Sequence, residues 1–293
     1  MKNILITGAG GFLGSHLVEL AKLNYNVYGL SNISKINLPN EKCVYLNLID
    51  EKKLNETLNR IKPQVIIHCA AISGESGCRS NREEAYAINV SATLVIAEWC
   101  QANQAKMIFT STDLVFDGSN APYKEVDRTL PSMEYGKLKV EAEILLQSFK
   151  KTIIVRLPLL YGMGLGDNKG LLHQFVENAK DGKVQRLFTD EFRTPVLVDD
   201  IAKFIIQLVD STFTGILHLG GKERLSRFEL GQLFCKKLNL NQDFIQPILR
   251  KDINMDYRPK DTSMDSSKAY KIGFQPKKIG VALQAIFTQY YNR

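Results

Sequence analysis

The chain has little of what a disulfide scaffold or a metal protein requires. Its 293 residues hold five cysteines, an odd number, at Cys43, Cys69, Cys78, Cys100 and Cys235. No two of them form a Cys-x-x-Cys pair, which argues against a disulfide framework and leaves reduced, mostly buried thiols as the expectation. The four histidines, His16, His68, His173 and His218, stand isolated from one another. Without paired spacing they read as hydrogen-bonded packing residues, and no metal site is expected. The single tryptophan, Trp99, falls inside a helical pattern and reads as core. No apolar run approaches the ~20 residues of a bilayer-crossing helix, so no membrane partner is expected. The N-terminal run "ILITGAGGFLG" is broken by glycines where a secretory leader would be continuous, and a cytoplasmic location is expected. The formal net charge is +7, yet the lysines are scattered rather than gathered in a block. That distribution disfavours nucleic acid and is compatible with a small anionic ligand.

What the chain does have is alternation. Short, nearly uniform apolar runs ("NILIT", "NVYGL", "CVYL", "QVIIHCA", "KMIFTST", "TIIVRL") alternate with segments of helical period at 12–23, 51–60, 82–102 and 132–149. Strand and helix repeated in this way predict a parallel sheet covered on both faces. After Pro158 the rhythm changes. A helix is predicted near 170–181, a short strand near 194–198, a helix at 199–210, a strand at 216–220 and a last helix at 279–291. This reads as a second, smaller unit interleaved with late pieces of the first. Asp199 and Asp200 are expected to cap their helix and complement its dipole.

Two stretches carry chemistry. In "ITGAGGFLGSH" a buried strand runs directly into a turn and a helix, with Gly8, Gly10, Gly11 and Gly14 between them. Glycine tolerates positive φ and lets backbone N–H groups approach a pyrophosphate at the helix N-terminus. The Gly8-x-x-Gly11-x-x-Gly14 spacing differs from the commonest dinucleotide fingerprint, though Gly10 satisfies that closer spacing too. The second strand ends in Ser31 and Asn32, with no carboxylate to hydrogen-bond a ribose or repel a 2′-phosphate. With Lys35 nearby, NADP(H) is favoured over NAD(H). In "YGKLK", Tyr135 and Lys139 fall one helical turn apart on one face. A neighbouring ammonium favours the phenolate, so the pair predicts a tyrosine of lowered pKa acting as acid and base. "KMIFTST" brings the hydroxyls of Ser111 and Thr112 to a strand's carboxyl end, where ligands bind in such sheets.

On "TGAGGFLG", "TSTD" and "YGKLK" in that order, the chain resembles the extended short-chain dehydrogenase/reductase family. "STDLVFDGSNAPYKEVD", "PSMEYGKLKVEAE", "VRLPLLYG", "RTPVLVDDIA", "GILHLGG" and "RPKDTSMDSSK" resemble its dTDP-4-dehydrorhamnose reductase-like subfamily, over most of the chain. The resemblance implies an α/β fold, a doubly wound parallel sheet of Rossmann type with a smaller interleaved C-terminal α/β substrate domain. Residues 1–160, with returning segments near 190–220, would form the dinucleotide-binding domain; 161–293 would be mainly the substrate domain. It implies Thr112, Tyr135 and Lys139 as the catalytic set. Gly8, Gly10, Gly11, Phe12, Leu13, Gly14, Ser31, Asn47, Leu48, Cys69, Ala70 and Ala71 would hold the cofactor together with Tyr135 and Lys139. Arg193 and Arg258 are candidates for a substrate diphosphate, because guanidinium forks suit phosphate oxygens. Asn89 matches the family's helix asparagine near the site, and on its own reads as a bridge to a backbone gap.

The activity implied is NAD(P)-dependent reduction of a 4-keto nucleotide sugar, the sugar nucleotide being the partner and a homodimer the assembly considered. Two alternatives stand beside it: a nucleotide-sugar 4-epimerase, and a non-catalytic, dinucleotide-binding regulatory subunit. Dehydration is disfavoured because Asp113 is followed by Leu114 rather than by a second acid. Leu114, "ISGESGCRSN" and "LSRFE" also depart from what rhamnose reductases usually carry at those places, where the family has an aromatic residue, a Tyr-Thr loop and a pocket tryptophan.

Overall fold

A computed structural model describes residues 1–165, 169–255 and 257–291, with the side chains of 289–291 excepted. Its centre is a seven-stranded parallel sheet. Six of its strands come from the first 157 residues: β1 (Asn3–Thr7), β2 (Asn26–Ser31), β3 (Cys43–Tyr45), β4 (Val65–His68), β5 (Lys106–Thr112) and β6 (Thr152–Leu157). Four two-to-four-residue strands follow, β7 (Leu160–Tyr161), β8 (Gln185–Phe188), β9 (Phe192–Arg193) and β10 (Val196–Leu197). Then come β11 (Gly215–His218), β12 (Leu225–Ser226) and β13 (Ile245–Ile248). The order across the central sheet is β11-β6-β5-β4-β1-β2-β3, so the path reverses between β1 and β4. In open α/β sheets that reversal opens a crevice beyond the carboxyl ends of the strands. Thr7 of β1 is in register with His68 of β4, and Thr112 of β5 with Leu157 of β6, which brings the loops that follow these strands to one edge.

The apolar strands are sandwiched, as their composition requires. One face packs against α1 (Phe12–Ala21) and a later helix over Val198–Asp210, through Leu13, Leu17, Val18, Ile201, Phe204 and Ile205. The other packs against α2 (Glu51–Ile61) and two helices over Ala92–Ala102 and Glu134–Leu146, through Leu54, Leu58, Ile96, Trp99 and Leu146. Trp99 is core as expected, and its indole N–H donates to Asn59 Oδ1 at 2.8 Å. A third cluster, built on Tyr161, Leu172, Phe175, Phe234 and Leu283, lies among the later elements.

The helical pattern read over 82–102 is there from Arg82 to Ala102, with a π-turn in its middle. The chain forms α3 (Glu75–Ser80), α4 (Arg82–Tyr86), a π-turn over Ala87–Ser91 and then α5 (Ala92–Ala102). The π-turn places the buried Asn89, whose Oδ1 accepts from Ile72 N and whose Nδ2 donates to Ile72 O, each at 3.0 Å. It bridges the Ile72 backbone, whose carbonyl also accepts from Cys78 Sγ at 3.2 Å, the plainer of the two readings. Next come α6 (Glu134–Leu146), α7 (Leu171–Lys180), α8 (Val198–Asp210), α9 (Arg227–Leu238), α10 (Ser267–Lys271) and α11 (Ile279–Tyr291). Asp199 and Asp200 lie in the first turn of α8 but cap nothing, since the N-cap is Leu197. Instead Asp199 pairs with His16 at 3.0 Å, and Asp200 accepts from Lys277 N and Nζ at 2.8 and 2.7 Å. Their place in the first turn still sets negative charge at the positive end of the helix dipole, while tertiary partners take their hydrogen bonds.

Candidate active site

Beyond the carboxyl ends of the strands lies a cleft of about 720 Å³. Its floor is the glycine turn between β1 and α1. Gly8 has φ +65°, and a Cβ there would fall 2.8 Å from Ala70 N. A Cβ on Gly14 would fall 2.0 Å from Gly8 O, so this glycine lets the helix close on the turn. Gly11 differs, because a Cβ would meet only Gly8 O, at 3.0 Å, and its remaining side is open to the cleft. The turn thus leaves an open concavity at the start of a helix, where backbone N–H groups and the helix dipole favour negative charge. Gly10 does not line the cleft; it lets the turn pass against Ser34 and the Lys35 carbonyl. Lys35 does not line it either, whereas Ser31, Asn32 and Ser34 do.

The opposite wall follows β4. Thr7 Oγ1 accepts from the backbone N–H groups of Cys69 and Ala70, both at 3.2 Å, and therefore gives its own proton to His68 Nδ1 at 2.6 Å. His68 Nε2 in turn meets Thr93 Oγ1 at 3.0 Å, and Thr93 donates to Asn89 O at 2.9 Å. Burial, with a smaller push from the Lys139 charge, brings the imidazole down to about 3, so it is neutral. The chain of bonds holds Cys69, Ala70 and Ala71 along the cleft, where Phe12, Leu13, Asn47 and Leu48 also lie.

At its centre the cleft meets the end of β5 and the start of α6. Thr112 and Tyr135 both line it. Gly136 makes this possible: a Cβ there would stand 2.2 Å from Leu114 O, so only glycine lets α6 come this close to the turn after β5. Glu75 of α3 approaches the same helix end, its Oε2 lying 3.4 Å from Tyr135 N. Lys139 lies beneath, 1 % exposed, its Nζ donating to Thr110 O at 2.9 Å and sitting 5.9 Å from the Tyr135 ring centre. Burial holds the ammonium down to about 8. Burial also pushes the Tyr135 phenol well above its ordinary value, helped by Cys78 and Asp113 and opposed by Arg193. The lowering expected from the Tyr135–Lys139 pair is thus reversed, because desolvation of the phenolate outweighs the nearby cation.

Arg193 and Arg258 line the far end of the cleft, but neither guanidinium is free. Arg193 Nε and Nη2 donate to both oxygens of the buried Asp113. Arg258 Nε and Nη2 donate to the two oxygens of Glu191 at 2.7 and 3.0 Å. A third guanidinium, Arg227, lines the same end and was not singled out from the sequence. The capping-box spacing Ser226-x-x-Glu229 just ahead of Leu230 is the signal that would have placed it at a helix start.

The family model described as RmlD substrate binding domain matches residues 1–292. The chain is similar to methionine adenosyltransferase 2 subunit beta of Xenopus laevis, 31% identical over 295 residues, covering 96% of this chain and 86% of that one. It is also similar to the probable low-salt glycan biosynthesis reductase Agl14 of Haloferax volcanii, 28% identical, covering 97% and 98%. Among solved structures, dTDP-4-dehydrorhamnose reductase of Bacillus anthracis in complex with NADP superposes with a TM-score of 0.85 at 25% identity, covering 99% and 100%.

Proposed function

We propose, from the premise that the chain belongs to the RmlD substrate binding domain family, that it is an NAD(P)-dependent oxidoreductase reducing the keto group of a nucleotide sugar. The observation that carries this reading is the joint placement of Thr112 and Tyr135 on one cleft with Lys139 buried beneath them. The reductase names of the Haloferax relative and the Bacillus structure support it. A bound reduced nicotinamide would supply the hydride. Gly8, Gly11 and Gly14, with Phe12, Leu13, Ser31, Asn47, Leu48, Cys69, Ala70 and Ala71, would hold the dinucleotide. Thr112 would hydrogen-bond the substrate's keto oxygen, and Tyr135 would deliver its phenolic proton to that oxygen as negative charge develops there. Lys139 would place a positive charge beside the phenol. A protonated, high-pKa tyrosine is in the right state to donate in the reduction direction.

The finer assignments belong to the same proposal. NADP(H) is favoured over NAD(H), because Ser31, Asn32 and Ser34 at the end of β2 present no carboxylate to repel a 2′-phosphate. The sugar is a 4-keto sugar, and residues 161–293, with the earlier part returning near 190–220, form the part that receives it. A second reading, a non-catalytic dinucleotide-binding subunit, is favoured by the name of the Xenopus relative.

Replacement of Tyr135 by Phe separates the two. It keeps the ring and deletes the transferable proton. Turnover should fall by a factor of about 10² to 10⁴ while cofactor affinity stays near wild type. Stopped-flow oxidation of NADPH over a panel of keto nucleotide sugars measures the first, and fluorescence titration the second. Wild-type turnover left unchanged by Tyr135→Phe would rule out the tyrosine as acid. No turnover by wild type across the panel would favour the subunit reading.

A further inference from the structure

At the far end of the cleft three guanidiniums surround one carboxylate. Glu191 is 1 % exposed and takes two hydrogen bonds from Arg258, with Arg193 Nη1 at 3.7 Å and Arg227 Nε at 3.5 Å. Arg193 is further committed to Asp113 by its Nε and Nη2. The three arginines therefore face two carboxylates, and the three are not equivalent. Arg227 alone among them makes no side-chain hydrogen bond among the described residues, and its Nη1 is buried without a partner. A buried guanidinium N–H with nothing to donate to carries a full desolvation cost, which persists only where a ligand or tertiary constraint compensates it. Here the constraint is visible. Arg227 is the first residue of α9, set by the Ser226–Glu229 capping box and by its own backbone N–H donating to Glu191 O at 3.2 Å. Glu75, the one acidic residue among those lining the cleft, is already paired with Arg79 Nε at 2.6 Å, so three guanidiniums facing Asp113 and Glu191 leave one positive charge over for an arriving anion.

From this inequality we infer that Arg227 is the residue that takes the negative charge of the substrate, a phosphate oxygen of a nucleoside diphosphate, while Arg193 and Arg258 are held back by Asp113 and Glu191 as parts of the wall. The inference rests on the nucleotide-sugar reading and assigns its anion to a different residue from the two that the sequence suggested. Burial, partly offset by the Glu191 charge, brings the Arg227 guanidinium down to about 10, so it is still charged at neutral pH.

The test is calorimetric titration of dTDP, UDP and thymidine into the full chain with NADPH present to fill the dinucleotide site. Arg227→Met should weaken dTDP or UDP binding at least tenfold, the size of a lost charge-assisted hydrogen bond. Thymidine affinity and the melting temperature should be unchanged, and the salt dependence of diphosphate binding should become shallower. Arg227→Lys, which keeps the charge without the fork, should fall between the two. Arg258→Met should lower the melting temperature by exposing Glu191 to an uncompensated burial. Diphosphate affinity equal to wild type in Arg227→Met overturns the inference and leaves the reductase reading intact. An equal loss of thymidine affinity also overturns it, as a sign of general distortion. Should Arg227→Met not fold, wild-type affinity in Arg227→Lys overturns it instead. Wild-type protein that binds neither dTDP nor UDP removes the nucleotide-sugar reading and this inference together.

Discussion

Lys139 lies against the Phe109 ring, its Nζ 4.3 Å from the ring centre, with one carbonyl as its hydrogen-bond partner and burial holding it at about 8. A depressed lysine is charged below that value and neutral above it. Any attraction that depends on the ammonium therefore fades as pH rises through about 8. Dinucleotide affinity measured by fluorescence should fall across that window in wild type and be weak and flat in Lys139→Met. The linkage to stability has the opposite sense. Between about 8 and the ordinary 10.5 the unfolded chain keeps a proton that the native chain has shed, so this group makes folding more favourable as pH rises there. The spacing of Tyr135 and Lys139 was legible in the sequence because it needs only helical period. The direction of the Tyr135 shift was not, because spacing says which groups are neighbours and nothing about how much water they lose. Gly10 misled for a related reason: the spacing cannot tell a glycine that faces a ligand from one that faces the Lys35 carbonyl.

Helix α9 was the element hardest to see and the one that positions Arg227. Leu230, Phe234 and Leu238 recur at helical spacing, but Gly231, a poor helix former, interrupts them. The glycine lets the helix lie close to β8, where a Cβ at Gly231 would stand 2.3 Å from the movable end of the Leu187 side chain, Cδ1. The helix depends correspondingly on its start. Ser226 Oγ accepts from Glu229 N at 3.1 Å, and Glu229 Oε2 accepts from Ser226 N at 2.7 Å. Ser226→Ala removes half of that exchange and should cost about 1 kcal/mol, within a range of ~0.5–2, read as a lowered urea midpoint at unchanged slope. The central strands were legible because burial on both faces demands continuous apolar runs. Of the two-residue strands, β10 falls within the short strand read near 194–198, whereas β7, β9 and β12 were not legible, because their pairing is set by partners distant in the chain.

Across the whole molecule, two histidines are buried in neutral form. His68 is held between Thr7 and Thr93. His218 lies between Arg156, whose Nη1 is 3.2 Å from its Nε2, and the Tyr123 carbonyl, 3.1 Å from its Nδ1. Burial brings both imidazoles to about 3, with the Arg156 charge adding to the effect at His218. Below the ordinary 6.5 the unfolded chain takes up protons that the native chain refuses, so stability falls as pH falls. The two together should contribute a slope of about 2.7 kcal/mol per pH unit between about 6 and 4, measurable by urea unfolding at stepped pH. His68→Asn should remove about half of that slope, and an unaltered slope would show that His68 is not held neutral.

The strand that carries His218 has a further consequence for how the molecule is made. Among the described residues β11 pairs only with β6, His218 standing opposite Arg156, and Arg156 is already bound to Glu143 of α6 through Nη2 at 2.6 Å. Everything from Leu160 to Asp210 is translated between these two neighbours. Until Gly215 leaves the ribosome, the edge of β6 from Ile153 to Arg156, apolar but for its last residue, lacks the strand that covers it, and an unpaired edge of that kind is a template for any other extended strand. The nascent protein thus passes through a stage in which its most adhesive surface is complete and the strand that closes it has not yet been synthesised, so the pace of translation across that interval bears on yield independently of how stable the finished molecule is.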